Sequence, residues 1–374
     1  MVLTYENLLR LTDLRVIPCE TLRPLNTFNF LSFQDALHYL VRAHRLAGKT
    51  ILVPSFYCDA TVDDMKKHGL HVVRSRMDHA HFDVDMADFM AKLRNELPDV
   101  VMLYYFFGKT SVLFQDRAWL QHLKPEALLI SDFAHALLPQ HRLEFLSERH
   151  LYLDSTRKTT SCMMAHMVMP SGMAVDPAGV VRFSPFRYAI RTLFWLKTGS
   201  LRLATITGLR FFSDLGNRLY TLHDHWIGSP LAAFAGFRWD AFLYRHIDFD
   251  KIRMHRAMLY DVYRLHFAAV SRAGYLQLFD VPPEEAGKLC FFFATVTDPT
   301  QRDPLLALLW GQGYWVEVLW NFDAQQDLAE EDRQWAKRVI VFPYTLRTQP
   351  RHVEHIAGLT KTFFGMATEG SSSN

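Results

Sequence analysis

The chain has 374 residues, of which 49% are apolar and 21% charged, with a net charge of +2. That length exceeds one small core and suits two domains, and so small a charge excludes nucleic acid as the main partner. No window reads as a membrane span, and the four cysteines, Cys19, Cys58, Cys162 and Cys290, have neither zinc-ligand spacing nor the density of a disulfide framework.

The N-terminus lacks the basic start and apolar run of a signal peptide, so a reducing cytoplasm is the expected compartment and no metal is expected. Residues 1–30 read as irregular. The segment 36–43 has helical periodicity, with Leu37, Leu40 and Val41 on one face and Ser32 or Asp35 as its cap. Strands are expected at 50–54, 71–73, 100–105, 127–130, 151–154 and 163–168, and helices from Asp59 to Gly69, Met86 to Leu97 and Phe114 to Leu123. Continuously apolar strands alternating with helices imply an α/β fold, a mainly parallel sheet with helices on both faces. Ligands of such sheets bind beyond the carboxyl ends of the strands.

From Arg182 to Arg218 the pattern turns helical and basic, with seven Lys/Arg against the single acid Asp214, and with Gly199 and Gly208 as candidate interruptions. Such a segment (taken as 182–230) covers a dimer contact, or docks on a carrier protein or a membrane surface. A long helix from Asp250 to Leu265, a strand at 289–297, a helix from Leu305 to Gly313, an extended run at 314–320, a strand at 339–343 and a helix from Pro350 to Phe364 make a small C-terminal α+β domain. The expected division is a large domain over 1–245, a small one over 246–366, and a disordered tail over 367–374.

The chemistry concentrates at two strand ends. Asp132, with His135 three residues on, closes one strand, and Lys158, three residues after Ser155, follows the next. An acid and an amine so placed reach opposite ends of one flat cofactor, and pyridoxal phosphate asks for that pair. Lys158 supplies the amine for its aldehyde, and Asp132 the carboxylate that keeps its pyridine nitrogen protonated. His135 faces its phenolic oxygen. Ser155, Gln34 and the helix start after Ser32 serve its phosphate, and Phe56 and Tyr57 wall its ring. A lysine after a strand is ordinarily a solvated surface charge; the order of these residues along an alternating α/β chain is what raises them together.

The same segments resemble those of the DegT/StrS-type aminotransferases, the nucleotide-sugar aminotransferases of fold type I. Residues 30–37 resemble the family's phosphate-end turn, with Phe33 and Gln34 where glycine and a small polar residue are common. Val53-Pro54-Ser55-Phe56-Tyr57-Cys58 is similar to its Val-Pro-Ala-Tyr-Thr-Cys, and Tyr105-Phe106-Phe107-Gly108 to its His-x-Phe-Gly. Asp132-Phe133-Ala134-His135-Ala136 matches Asp-Ala-Ala-His-Ala, whose Asp meets the pyridine nitrogen, and 152–158 resembles the lysine motif. Arg256 stands at a family arginine of the domain-linking helix. The resemblance implies a pyridoxal 5'-phosphate enzyme, a homodimer, that moves an amino group from a donor such as glutamate to a keto sugar or similar biosynthetic acceptor. Cys162-Met163-Met164-Ala165 replaces the family's glycine pair after the lysine, which keeps open another pyridoxal phosphate reaction (lyase or carbon–carbon bond formation) and a non-catalytic dimeric binding protein.

Overall fold

A computed structural model of the chain describes residues 9–15, 26–137, 143–160, 162–227, 232–316, 318–320, 322, 325 and 327–366; the expected tail lies outside them. The first half runs β1 (Asn26–Phe30), α1 (Phe33–Ala43), β2 (Thr50–Pro54), α2 (Asp59–Lys67), β3 (His71–Ser75), a short hairpin of β4 (Met77–Asp78) and β5 (Asp83–Val84), α3 (Met86–Glu96), β6 (Val100–Tyr104), α4 (Val112–Gln115), β7 (Leu128–Phe133), β8 (His150–Asp154), α5 (Thr156–Thr159) and β9 (Ala165–Met169). Seven strands form one sheet in the order β1-β9-β8-β7-β6-β2-β3. From β3 to β8 every pairing is parallel, and β9 and β1 run antiparallel at the far edge. β6, β7 and β8 are buried along their whole length, which is why they read as unbroken apolar runs.

Next come two long helices, α6 (Pro185–Thr207) and α7 (Arg210–Ile227), then α8 (Arg238–His246) and α9 (Phe249–Arg272). Gly208 separates the first pair, ending α6 in the left-handed conformation at φ 71°, while Gly199 sits uninterrupted inside α6. The remainder is β10 (Leu276–Leu278), α10 (Pro283–Ala286), β11 (Phe292–Val296), α11 (Arg302–Gly311), α12 (Glu330–Ala336), β12 (Val339–Phe342) and α13 (Pro350–Phe363). Its strands form a separate antiparallel sheet, β10-β11-β12, against which α9 and α13 pack through Tyr263, Phe267 and Val353.

Two expectations need correction. Residues 26–30 are a strand, hidden in the sequence because an antiparallel edge tolerates Asn and Thr. No single helix spans 114–123: α4 stops where Asp116 turns extended, and only a 3-10 turn, Ala118–His122, follows. The extended run expected at 314–320 contributes lining residues to a cavity.

The two halves are joined closely at Gly108, just after β6. Cys290 N donates to Phe107 O at 2.8 Å, and Gly108 takes φ +107° with room for no side chain: a Cβ there would lie 2.5 Å from Lys288 O and 2.7 Å from Leu289 Cα. Gly108→Ala is therefore expected to cost at least about 2 kcal/mol, read from the urea midpoint. Gly172→Ala, whose Cβ would meet nothing within 4 Å, should stay within about 0.5 kcal/mol of the parent. Equal small shifts for both would contradict this close approach.

Candidate functional site

Parallel pairing sets the site. Tyr104 of β6 lies opposite Asp132 of β7, which lies opposite Leu153 of β8. The chain therefore leaves three neighbouring strands at one level, carrying His135 out of β7 and Ser155 and Lys158 out of β8. They meet a cavity of 390 Å³, a size that suits a small-molecule site. Phe33, Gln34, Tyr57, Asp132, His135, Ser155 and Lys158 all line it. Phe56 does not. Consecutive side chains point apart, and while Tyr57 faces the cavity Phe56 enters the core, its ring 5.4 Å from Phe82 and 5.3 Å from Trp335.

Asp132 is 3% exposed. Tyr57 Oη donates to its Oδ2 and Ala134 N to its Oδ1 at 2.7 Å. Burial raises its pKa to about 6 against the pull of those two donors, so near neutral pH it is a carboxylate with little solvent around it. With two donors taken, such a group still has lone pairs for a further N–H. His135 Nδ1 lies 2.8 Å from Tyr104 Oη, and that oxygen also accepts from Phe107 N. A Tyr104 hydroxyl that donates to Nδ1 leaves the proton of the neutral ring on Nε2. Burial first, then the charges of Lys158 and Arg157, hold His135 well below its ordinary pKa. Nε2 is buried without a partner among the described residues.

The start of α1 also faces the cavity. Ser32 caps the helix by accepting from Asp35 N at 3.1 Å, and its hydroxyl donates to Asp35 Oδ2 at 2.5 Å. Phe33 and Gln34, the first helical residues, face the cavity where backbone N–H groups of a helix lack intrahelical partners. Gln34 Oε1 is likewise buried without a partner. Ser155, 3% exposed, lines the same cavity.

The residues after Lys158 do not crowd the cavity. Met163 packs with Leu31, Phe194 and Phe234, Cys162 and Met164 pack with Tyr244 and Phe249, and none of the three lines the cavity. The bulk that replaces the expected glycines points into two small cores. Arg256, fully buried, steadies this turn by donating to Thr159 O at 3.4 Å; it too lies off the cavity wall.

Several lining residues escaped the sequence reading. Arg157 pairs with Asp224 of α7 at 2.9 Å. Burial opposes ionisation of Asp224, yet Arg157 and Lys158 hold its pKa below the usual carboxylate range. Tyr220, one turn earlier on α7, also faces in. Trp310, Trp315 and Trp320 wall the mouth from the C-terminal half. Their five-residue spacing was the available signal, but a core explains tryptophans equally well. Trp320 takes φ +97°, uncommon for a bulky residue, with its ring 5.0 Å from Phe56 and 5.8 Å from His135.

No family model matches the chain, and no curated protein matches it by sequence. Solved structures do match it in fold. DesI, crystallised with its TDP-sugar product, superposes with a TM-score of 0.60 at 15% identity, over 90% of this chain and 80% of its own. NtdA of Bacillus subtilis, with bound cofactor PMP, gives 0.59 at 13% over 90% and 73%. The putative sugar aminotransferase Spr1654 of Streptococcus pneumoniae gives 0.62 at 13% over 90% and 85%. The chain has the fold of these proteins, that of fold type I aminotransferases: a mainly parallel sheet with helices and a smaller C-terminal α+β unit.

Behind the cavity, Asp154 accepts from His166 N at 2.7 Å and is approached by Tyr244 Oη at 3.5 Å. Burial lifts its pKa to about 8. An acid whose pKa is raised on folding binds its proton more tightly in the folded state, so its contribution to stability is full at low pH and is lost as pH rises toward 8. Asp154→Asn keeps an acceptor for His166 and carries no proton to lose. Its stability relative to the parent should therefore climb by more than about 1 kcal/mol between pH values of about 5 and 8, measured by urea denaturation. A difference independent of pH would contradict a neutral Asp154.

Proposed function

We propose that the chain is a pyridoxal-phosphate-dependent aminotransferase that takes its amino group from an amino-acid donor such as glutamate and passes it to a keto acceptor, a keto sugar or similar intermediate. One observation carries the reading: a buried acid, a histidine with an unpartnered ring nitrogen and a lysine open onto one cavity at the carboxyl ends of adjacent parallel strands. The residues fit the cofactor on two counts. His135 Nε2 is buried with bonding capacity to spare, and the acid, the amine, Ser155 and the first residues of α1 line one cavity. The likeness in fold to DesI, whose structure holds a TDP-sugar product, supports a sugar acceptor, and the resemblance of the sequence motifs supports two copies as the working unit.

When bound, pyridoxal phosphate supplies an aldehyde that condenses with amines and a ring that delocalises charge from the adjoining carbon. Asp132 binds the pyridine N–H, and its seclusion from water strengthens that contact. His135 offers Nε2–H to the phenolic oxygen. Gln34, Ser155 and the first N–H groups of α1 hold the phosphate, an anion at a helix N-terminus. Lys158 Nζ would hold the cofactor's aldehyde end, and as a free amine it would take and return the proton at the donor's α-carbon. Arg157 presents its guanidinium beside Lys158 for the donor's carboxylate. Cys58, Cys162 and Cys290 are free thiols, which supports a reducing, cytoplasmic setting.

Protein prepared with pyridoxal phosphate is expected to absorb in the near-visible, to lose that band on adding glutamate, and to carry the borohydride-fixed cofactor on Lys158 by peptide mapping. Lys158→Ala should abolish the fixation, and Asp132→Asn should slow the glutamate-driven change by roughly two orders of magnitude or more. A wild type that stays colourless, or a label on another lysine, would overturn the reading.

A further inference from the structure

The hairpin of α6 and α7 buries one face and leaves an apolar stripe on the other. On α6, Ile190, Phe194, Leu201 and Ala204 face inward, and Gly216 of α7 lets Leu201 close on its backbone. On the outside, Tyr188, Trp195, Leu203 and Ile206 recur at helical spacing along α6, and Phe211, Leu215 and Leu222 along α7. The stripe is strongest at the connection of the two helices, where Ile206 is 80%, Leu209 56% and Phe211 68% exposed. Soluble surfaces rarely gather so many large apolar side chains.

Charge identifies the occupant. Arg202, Arg210 and Arg218 are exposed on the same two helices, and none is in an ion pair among the described residues. Arg202 and Arg210 reach only backbone carbonyls, Leu9 O at 3.1 Å and Gly311 O at 3.3 Å. Asp214 is the one exposed acid of α6 and α7 among the described residues. A second copy packed on this face by two-fold symmetry would bring the same patch against itself, so the arginines of both copies would share one interface with Asp214 of each as the exposed acid to offset them. A bilayer carrying anionic phospholipid supplies acyl chains for the stripe and phosphates for the guanidiniums. No helix of the described residues is long and apolar enough to cross a membrane, so the hairpin lies in the interface.

We propose that the α6–α7 connection docks the protein on the surface of an anionic lipid bilayer. Tyr220 and Asp224 of α7 line the cavity, and Tyr220 lies only about 14 Å along the helix axis from Phe211. Docking therefore sets the cavity mouth near the lipid, where a membrane-borne acceptor is within reach. The surface itself does not depend on the aminotransferase reading.

The test is co-sedimentation of the full chain with vesicles of two parts phosphatidylcholine to one part phosphatidylglycerol, and with phosphatidylcholine alone. The wild type is expected to partition onto the anionic vesicles and to leave them as salt is raised. Ile206→Asp with Phe211→Asp should abolish the partition, and Arg210→Glu with Arg218→Glu should lower it by roughly tenfold or more. Far-ultraviolet circular dichroism checks the fold of both variants, and the charge pair keeps the test alive if the apolar pair fails to fold. Failure to bind anionic vesicles, equal binding to neutral ones, or a solution dimer that the same variants dissolve would each overturn the proposal, the last in favour of a second copy on this face. Cofactor absorbance of the variants separates this result from the proposed chemistry, which they should leave unchanged.

Discussion

The register between β7 and β8 is the constraint on which the rest depends. With Asp132 opposite Leu153 and Phe133 opposite Asp154, the two chains leave the sheet side by side, and His135 and Lys158 arrive at one cavity from different strands. A slip of one residue would send Asp132 to the other face of the sheet. Burial of both faces prevents that slip, because Leu151 and Leu153 alternate with Tyr152 and Asp154 in fully enclosed positions. The fixed sheet does the positioning, and the helices only have to bring their ends to it.

Three buried acids surround this framework, and each is settled by its neighbours. Asp35 is raised to about 7 by burial, yet it accepts from Ser32 and from Phe234 N and so ties α1 to the segment before α8. Asp154, deeper still, sits near 8 behind the cavity. Asp132, near 6, is the one of the three that lines the cavity. Of three carboxyls on similar scaffolding, it is thus the one that is both accessible to a ligand and ionised at neutral pH. Its place on the cavity wall is what supports the proposed role as the functional acid.

Much of this was legible in the sequence. The strands β2, β6, β7 and β8 show as continuous apolar runs because both faces are covered, and Asp132 and Lys158 stand out because they interrupt such runs at the end where parallel sheets bind ligands. The rest depends on side-chain direction and on distant partners. Phe56 and Tyr57 are adjacent and aromatic, and only the backbone decides that Phe56 enters the core. Asp224 meets Arg157 across 67 residues, and of the tryptophan wall only Trp310 lies in a helix, while Trp315 and Trp320 come from a segment with no regular structure to predict. The glycines missing after Lys158 looked like an obstruction, but Cys162, Met163 and Met164 turn into neighbouring cores.

The central claim is that Asp132 and Lys158 grip two ends of one cofactor. A crystal structure of the protein loaded with pyridoxal phosphate tests it most directly. The account predicts a Lys158 Nζ bonded to the aldehyde carbon, an Asp132 carboxylate within hydrogen-bond distance of the pyridine nitrogen, and the phosphate at the start of α1 beside Gln34 and Ser155. A cofactor bound elsewhere, or one that leaves Asp132 with Tyr57 and Ala134 as its only partners, would contradict it.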